Sequence, residues 1–186
     1  MIPSCNIFLV GLMGAGKTTI GKLLARQRGL EFIDSDHEIV ARCGVSIPTI
    51  FEIEGEAGFR RREAAVIDEL SQRQGIVLAT GGGAVLLEEN RAHLKDRGTV
   101  VYLRCQPQEL YLRTRHDKNR PLLQTDDPLG RLKSLFTVRH PLYMQVADMV
   151  LDSGRQSASL LVQRLENSLD LASVGRGDPC EALGRA

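Results

Sequence analysis

The chain has 186 residues, with 24 basic and 23 acidic side chains and a formal net charge of +1. That length suits one well-buried core and is too short for two full catalytic domains, and so near-neutral a balance gives no electrostatic case for nucleic acid or a membrane surface as the main partner. Cys5, Cys43, Cys105 and Cys180 show neither paired metal-ligand spacing nor disulfide-scaffold density and read as reduced thiols; with no basic leader before Gly11 and no apolar run of membrane-spanning length, a cytoplasmic protein is expected.

The first strand-like run, Ile7-Phe8-Leu9-Val10, leads into Gly11-Leu12-Met13-Gly14-Ala15-Gly16-Lys17-Thr18. Glycines there let the backbone curl so that successive N–H groups point inward at phosphates, while a lysine reaches the β- and γ-phosphates and a threonine hydroxyl ligates Mg²⁺. Strand, loop and helix follow in the required order, so Gly14, Ala15, Gly16, Lys17, Thr18 and Thr19 are expected to hold a nucleoside triphosphate. The helix, predicted over 17–27, carries Ile20, Leu23 and Leu24 on one face, and Gly29 supplies its stop.

The second run, 31–34, ends in Asp34-Ser35-Asp36. Period-two alternation sends both carboxylates to the same side, at the carboxyl end of a strand, where open α/β sheets bind ligands. One carboxylate there suits Mg²⁺ through a water; the other suits an acceptor hydroxyl or its proton. Capping of the next helix is the plainer reading, and the two are compatible.

Residues 35–75 exceed what one crossover needs, so an inserted helical subdomain is expected. A helix over 56–73 carries Phe59, Val66, Ile67 and Leu70 on one face, and Glu63 falls inside that stripe. A buried charge needs a partner. Glu63 could orient Arg60, one turn behind, and leave its guanidinium for an outside anion, or the two could form a purely internal ion pair.

The third run, 76–79, ends without an acidic residue, which shifts the metal role toward Asp34. Gly81-Gly82-Gly83 follows and allows close backbone approach to a ligand. After a fourth run, 100–103, the polar stretch 113–128 is a candidate lid, with Arg113 suited to adenine and Arg120 to transition-state phosphate. A helix over 129–146 carries Leu132, Leu135, Phe136, Leu142, Tyr143 and Val146, and Arg139 sits within that stripe with no carboxylate three or four residues away. Its counter-ion is then a distant residue or the ligand. Arg155, after the fifth run at 149–151, is a candidate base contact, and the tail 172–186 is expected to be disordered. This alternation predicts a three-layer α/β fold, with a parallel sheet covered on both faces and right-handed crossovers.

Taken together, the phosphate loop, Asp34-Ser35-Asp36, Phe59-Arg60-Arg61-Arg62-Glu63, Gly81-Gly82-Gly83-Ala84-Val85, Arg120-Pro121-Leu122-Leu123 and Arg139-His140-Pro141-Leu142-Tyr143 resemble the shikimate kinase family, in order and spacing, from about Asn6 to about Leu171. The resemblance implies a single α/β/α P-loop kinase domain over 1–171, with sheet order 2-3-1-4-5, a substrate-binding insertion and a lid. It implies transfer of the ATP γ-phosphoryl group to the 3-hydroxyl of shikimate in aromatic amino acid biosynthesis, by a Mg²⁺-dependent, monomeric enzyme with no nucleic-acid or membrane partner. By position, Lys17, Asp36 and Arg120 match catalytic residues; Thr18 and, through water, Asp34 match the metal site; Asp36, Arg60, Gly82 and Arg139 match shikimate contacts; Arg113 and Arg155 match the adenine side. Shikimate's single carboxylate suits Arg60 and Arg139, read as arginines without internal counter-ions. A kinase for another polyol acid such as gluconate, and a non-catalytic nucleotide sensor, are the alternatives; neither requires this Asp, Gly and Arg constellation.

Overall fold

A computed structural model describes residues 6–117 and 121–176. Among them, five strands form one parallel sheet in the order β2-β3-β1-β4-β5. Strands β1 (Ile7–Val10) and β3 (Ile76–Ala79) are buried at every residue, and β4 (Thr99–Arg104) through its interior, because helices cover both faces of the sheet centre. The edge strands β2 (Glu31–Asp34) and β5 (Met149–Asp152) each bury a single residue. This is the order that the resemblance implied, and the three-layer prediction matches it.

Helix α1 (Lys17–Arg28) stops at Gly29, which takes φ 65° and returns its N–H to the Ala25 carbonyl. Then come α2 (Ser35–Cys43) and α3 (Ile47–Ser71). Inside α3, Gly55 leaves helical geometry at φ 68° and ψ −179°, so the element is two limbs, and the helix read from the sequence at 56–73 is the second. Side chains with a Cβ rarely adopt that backbone conformation. Further on, α4 (Glu88–Arg97), α5 (Pro107–Thr114), α6 (Pro128–Val146) and α7 (Ala158–Arg176) complete the layers, with short 3₁₀ turns at Ala84–Leu86 and Pro121–Leu123.

Helix starts follow local chemistry: Ser46 caps α3 ahead of Pro48, and Asp127 Oδ1 accepts the Gly130 N–H at 2.8 Å ahead of α6. Helix α7 runs to Arg176, with its apolar residues Leu161, Val162, Leu165 and Leu169 docked in the core; of the tail expected over 172–186, residues 177–186 lie outside the described residues. No described helix is long and apolar enough to cross a membrane. Cys43 and Cys105 are free thiols.

Candidate active site

Three segments that leave the carboxyl ends of β1, β2 and β3 converge on one cleft. After β1 the chain turns through Gly14 (φ 80°) and Gly16 (φ 98°), both left-handed, and enters α1 at Lys17. Lys17 Nζ donates to the carbonyls of Gly11 at 2.7 Å and Leu12 at 3.0 Å. Thr18 Oγ1 donates to Asp34 Oδ2 at 2.8 Å, while Asp34 Oδ1 accepts the N–H groups of Asp36 at 3.1 Å and His37 at 3.4 Å. Asp34 is thus both helix cap and partner of the phosphate-loop threonine.

One expectation needs correction. Strand β2 stops at Asp34 and α2 starts at Ser35, so the two carboxylates are brought together by a cap and a first helical turn rather than by strand alternation. The side chain of Asp34 competes successfully for backbone N–H groups, which ends the strand there.

A cavity of about 650 Å³ is lined by Gly14, Ala15, Gly16, Lys17, Thr18, Thr19, Asp34, Asp36, Gly82 and Arg113. Arg113, at the end of α5, donates to the carbonyls of Gly14 at 3.2 Å and Ser153 at 2.6 Å, and to that of Gly154. It ties the phosphate loop to the loop after β5. Arg155 does not line this cavity: its side chain is 91 % exposed and bonds Glu109 at 3.1 Å, so the structure does not place it where a base contact was expected. The adjacent Ser153 and Gln156 line the wall instead. Neither residue was singled out in the sequence, although their position just past a strand's carboxyl end is the signal that could have found them.

A smaller cavity of about 90 Å³ adjoins the first and shares Met13, Asp36, Ile47 and Gly82 with it. Arg60, Glu63, Gly81, Gly83, Leu122 and Arg139 complete its polar end and roof, with Phe51 and Phe59 on the apolar side. The pairing of Arg60 with Glu63 that the sequence suggested is present, but the reading of Arg60 as an arginine without internal counter-ions is not met, because it has two. Its Nη1 bonds Glu63 Oε2 at 2.5 Å and its Nη2 bonds Glu56 Oε1 at 3.0 Å, because helical spacing sets both carboxylates beside it. Glu63 is fully buried, and burial pushes its carboxyl up to about 7 against the opposing pull of Arg60.

Arg139 matches its expectation more closely. It is 3 % exposed, and its Nη1 has no hydrogen-bond partner among the described residues. Burial, with the Arg60 charge nearby, moves its pKa below the usual arginine value.

The glycines do more than admit a ligand. A Cβ on Gly83 would stand 2.3 Å from Arg60 Cζ, and one on Gly81 would stand 2.4 Å from Glu63 Oε1. The charged side chains of α3 lie directly on this backbone. Of the lid expected over 113–128, Arg120 lies outside the described residues.

No group of three or more His, Cys, Asp and Glu side chains able to hold a metal occurs among the described residues. A hydroxyl and a carboxylate at the phosphate loop are the available oxygen ligands. That set suits Mg²⁺, which keeps several waters and takes the rest of its ligands from substrate phosphates.

Residues 13–170 match the family model described as shikimate kinase. The chain belongs to the shikimate kinase family. The shikimate kinase of Burkholderia lata is 61 % identical over 172 residues, covering 92 % of this chain and 94 % of that one, and that of Ralstonia nicotianae is 59 % identical over 169 residues, covering 91 % and 89 %. Among solved structures, a shikimate kinase from Acinetobacter baumannii in complex with shikimate superposes with a TM-score of 0.88 at 49 % identity, covering 93 % of this chain and 95 % of that one.

Proposed function

We propose that this chain transfers the γ-phosphoryl group of ATP to the 3-hydroxyl of shikimate, as a cytoplasmic monomer that uses Mg²⁺ and serves aromatic amino acid biosynthesis. The observation that carries this reading is the junction of the two cavities: a phosphate-loop cleft opens at Asp36 and Gly82 onto a small chamber walled by the buried Arg139 and the partly buried Arg60. Nucleotide and a small hydroxy acid would meet at that junction.

In this reading the acceptor's carboxylate faces Arg139 and Arg60, and Gly82 gives it backbone contact. Asp36 holds the reacting hydroxyl. The acceptor oxygen forms its bond to the γ-phosphorus as the bond to the β–γ bridging oxygen breaks; the hydroxyl proton leaves on the Asp36 side and ADP departs. Lys17 neutralises charge on the β- and γ-phosphates, and Arg120, carried by a lid over 113–128, does so on the transferring group. Thr18 and, through water, Asp34 would hold Mg²⁺, which supplies further charge neutralisation when bound. Gly14, Ala15, Gly16 and Thr19 cradle the nucleotide and Arg113 supports its base side, within a domain over 1–171 whose insertion at 35–75 contributes Asp36, Arg60 and Glu63 to the acceptor chamber. Positioning and a preorganised field supply most of the acceleration.

ADP release with ATP and Mg²⁺ tests the reading, with shikimate, gluconate or AMP as acceptor. Release that requires shikimate is the expected result, and equal release without it would overturn the assignment.

A further inference from the structure

The backbone at residues 81–82, of which Gly82 lines both cavities, is fixed from two sides by side chains that touch neither proposed substrate site with a charged group. From α2, Ser35 Oγ, fully buried, accepts the Gly81 N–H at 3.0 Å. From α6, the fully buried Tyr143 hydroxyl donates to the Gly82 carbonyl at 2.5 Å. Neither residue lines either cavity.

Tyr143 is itself held in place. Its ring stacks on Tyr102 of β4, centroid to centroid 4.8 Å at 27°. Burial drives the Tyr143 hydroxyl well above the ordinary tyrosine pKa, so it stays protonated and able to donate. It also lies four residues after Arg139, on the same helical face. One helix therefore sets both the buried guanidinium and the hydroxyl that anchors the Gly82 carbonyl. On the other side, Ser35 immediately precedes Asp36, so the same helical turn sets both the Gly81 anchor and the carboxylate. Such loops without side chains have the widest conformational choice, and an anchor at each end removes it.

We propose that Ser35 and Tyr143 are positioning residues for the acceptor chamber: together they lock residues 81–82 in register with Asp36 and Arg139. The inference rests on the functional reading above. Loss of either anchor loosens the wall that the acceptor meets, whereas the phosphate loop, whose Met13 borders Gly82, keeps the Lys17 bonds to its own Gly11 and Leu12 carbonyls. Acceptor binding is thereby separated from nucleotide binding.

Steady-state kinetics on Tyr143→Phe and Ser35→Ala test this, with Tyr102→Phe as the comparison. Tyr102→Phe removes another hydroxyl from the same aromatic stack, one that pairs with His140 Nδ1 at 3.1 Å and does not touch the loop. Each anchor variant is expected to raise the shikimate KM roughly five- to tenfold, the size of one lost buried hydrogen bond, with the ATP KM within about twofold. Tyr102→Phe is expected to lower the melting temperature and leave both KM values in place. Unchanged shikimate KM in the anchor variants would overturn the inference, as would an equal rise in Tyr102→Phe, which would mean general loosening of the core. If Tyr143→Phe does not fold, Ser35→Ala decides by the same criterion. Absence of shikimate-dependent turnover in the unaltered protein would instead remove the functional reading beneath it, a separate outcome.

Discussion

The phosphate loop occupies one unbroken stretch, residues 11–18, and its ligand-facing chemistry falls largely to backbone N–H groups whose directions the local turn dictates. The smaller cavity, the proposed acceptor chamber, takes Asp36 from α2, Arg60 and Glu63 from α3, Gly82 from the loop after β3 and Arg139 from α6. One half of the cleft is local and built of backbone; the other is assembled from distant segments and built of buried and partly buried charge. A local site can be damaged by one change in the loop. A dispersed one depends on every element that aims a side chain into it, which is why its anchors, Ser35 and Tyr143, stand behind its walls.

If that contrast holds, the largest effect belongs to the local half. Lys17→Ala is expected to lower kcat on the order of a thousandfold, through lost stabilisation of charge on the transferring group. Alanine is a good helix former and Lys17 opens α1, so far-ultraviolet circular dichroism should be unchanged. A purified variant with near-normal kcat would detach the loop from the chemistry.

At the junction, Asp36→Asn is expected to lower kcat about a hundredfold or more while ATP binding survives, since the proposed role of the carboxylate is toward the hydroxyl and not the nucleotide. Asp34→Asn sharpens the comparison, because asparagine caps a helix as well as aspartate does and α2 should remain intact. Its expected effect is a higher Mg²⁺ requirement. Titrating Mg²⁺ against both variants separates the roles, and superimposable profiles would merge them.

The two halves also differed in how much of them could be read from the sequence. The phosphate loop was legible as a motif, since its spacing is its geometry. The sheet was legible too, because β1, β3 and the middle of β4 are unbroken apolar runs that only a doubly covered parallel sheet accommodates. The acceptor chamber showed itself only as charged residues on apolar stripes. That pattern placed Glu63 and Arg139 within apolar stripes, where both are buried, and it paired Arg60 with Glu63 but missed Glu56, four residues before it at the start of the second limb of α3. Tyr143 looked like an ordinary stripe residue. Nothing in its spacing announces that its hydroxyl reaches a carbonyl 61 positions away.

Arg139 gives the next, smaller effect. Its Nη1 has no hydrogen-bond partner among the described residues, unlike the doubly paired Arg60. Arg139→Ala should therefore weaken shikimate by tens-fold, consistent with about 2–5 kcal/mol for one arm of a buried charge-assisted pair, and leave ATP affinity nearly unchanged. Melting temperature and shikimate binding on the same preparation distinguish this from a structural role. A large loss of stability with unchanged binding would return Arg139 to the scaffold and leave Arg60 as the carboxylate partner.

The smallest effect is a slope rather than a loss of activity, and it belongs to Glu63. Its carboxyl is raised to about 7 chiefly by burial, with Arg60 opposing, while an unfolded glutamate titrates near about 4.3. Between those values the folded protein keeps a proton that the unfolded chain has released, so this group's contribution to stability is complete below the lower value and fades as pH rises through 7. Exposed carboxylates paired with arginine, such as Glu69 with Arg42, have lowered values and contribute in the opposite sense at lower pH. Comparison with a variant isolates the one group. Glu63→Gln stays neutral throughout, so the difference in melting temperature between it and the unaltered protein should shift in the variant's favour by a few degrees from pH 5 to pH 8. A difference that stays flat across that range would mean that Arg60 holds Glu63 ionised at all these values, and that the chamber's buried charges are balanced before any acceptor arrives.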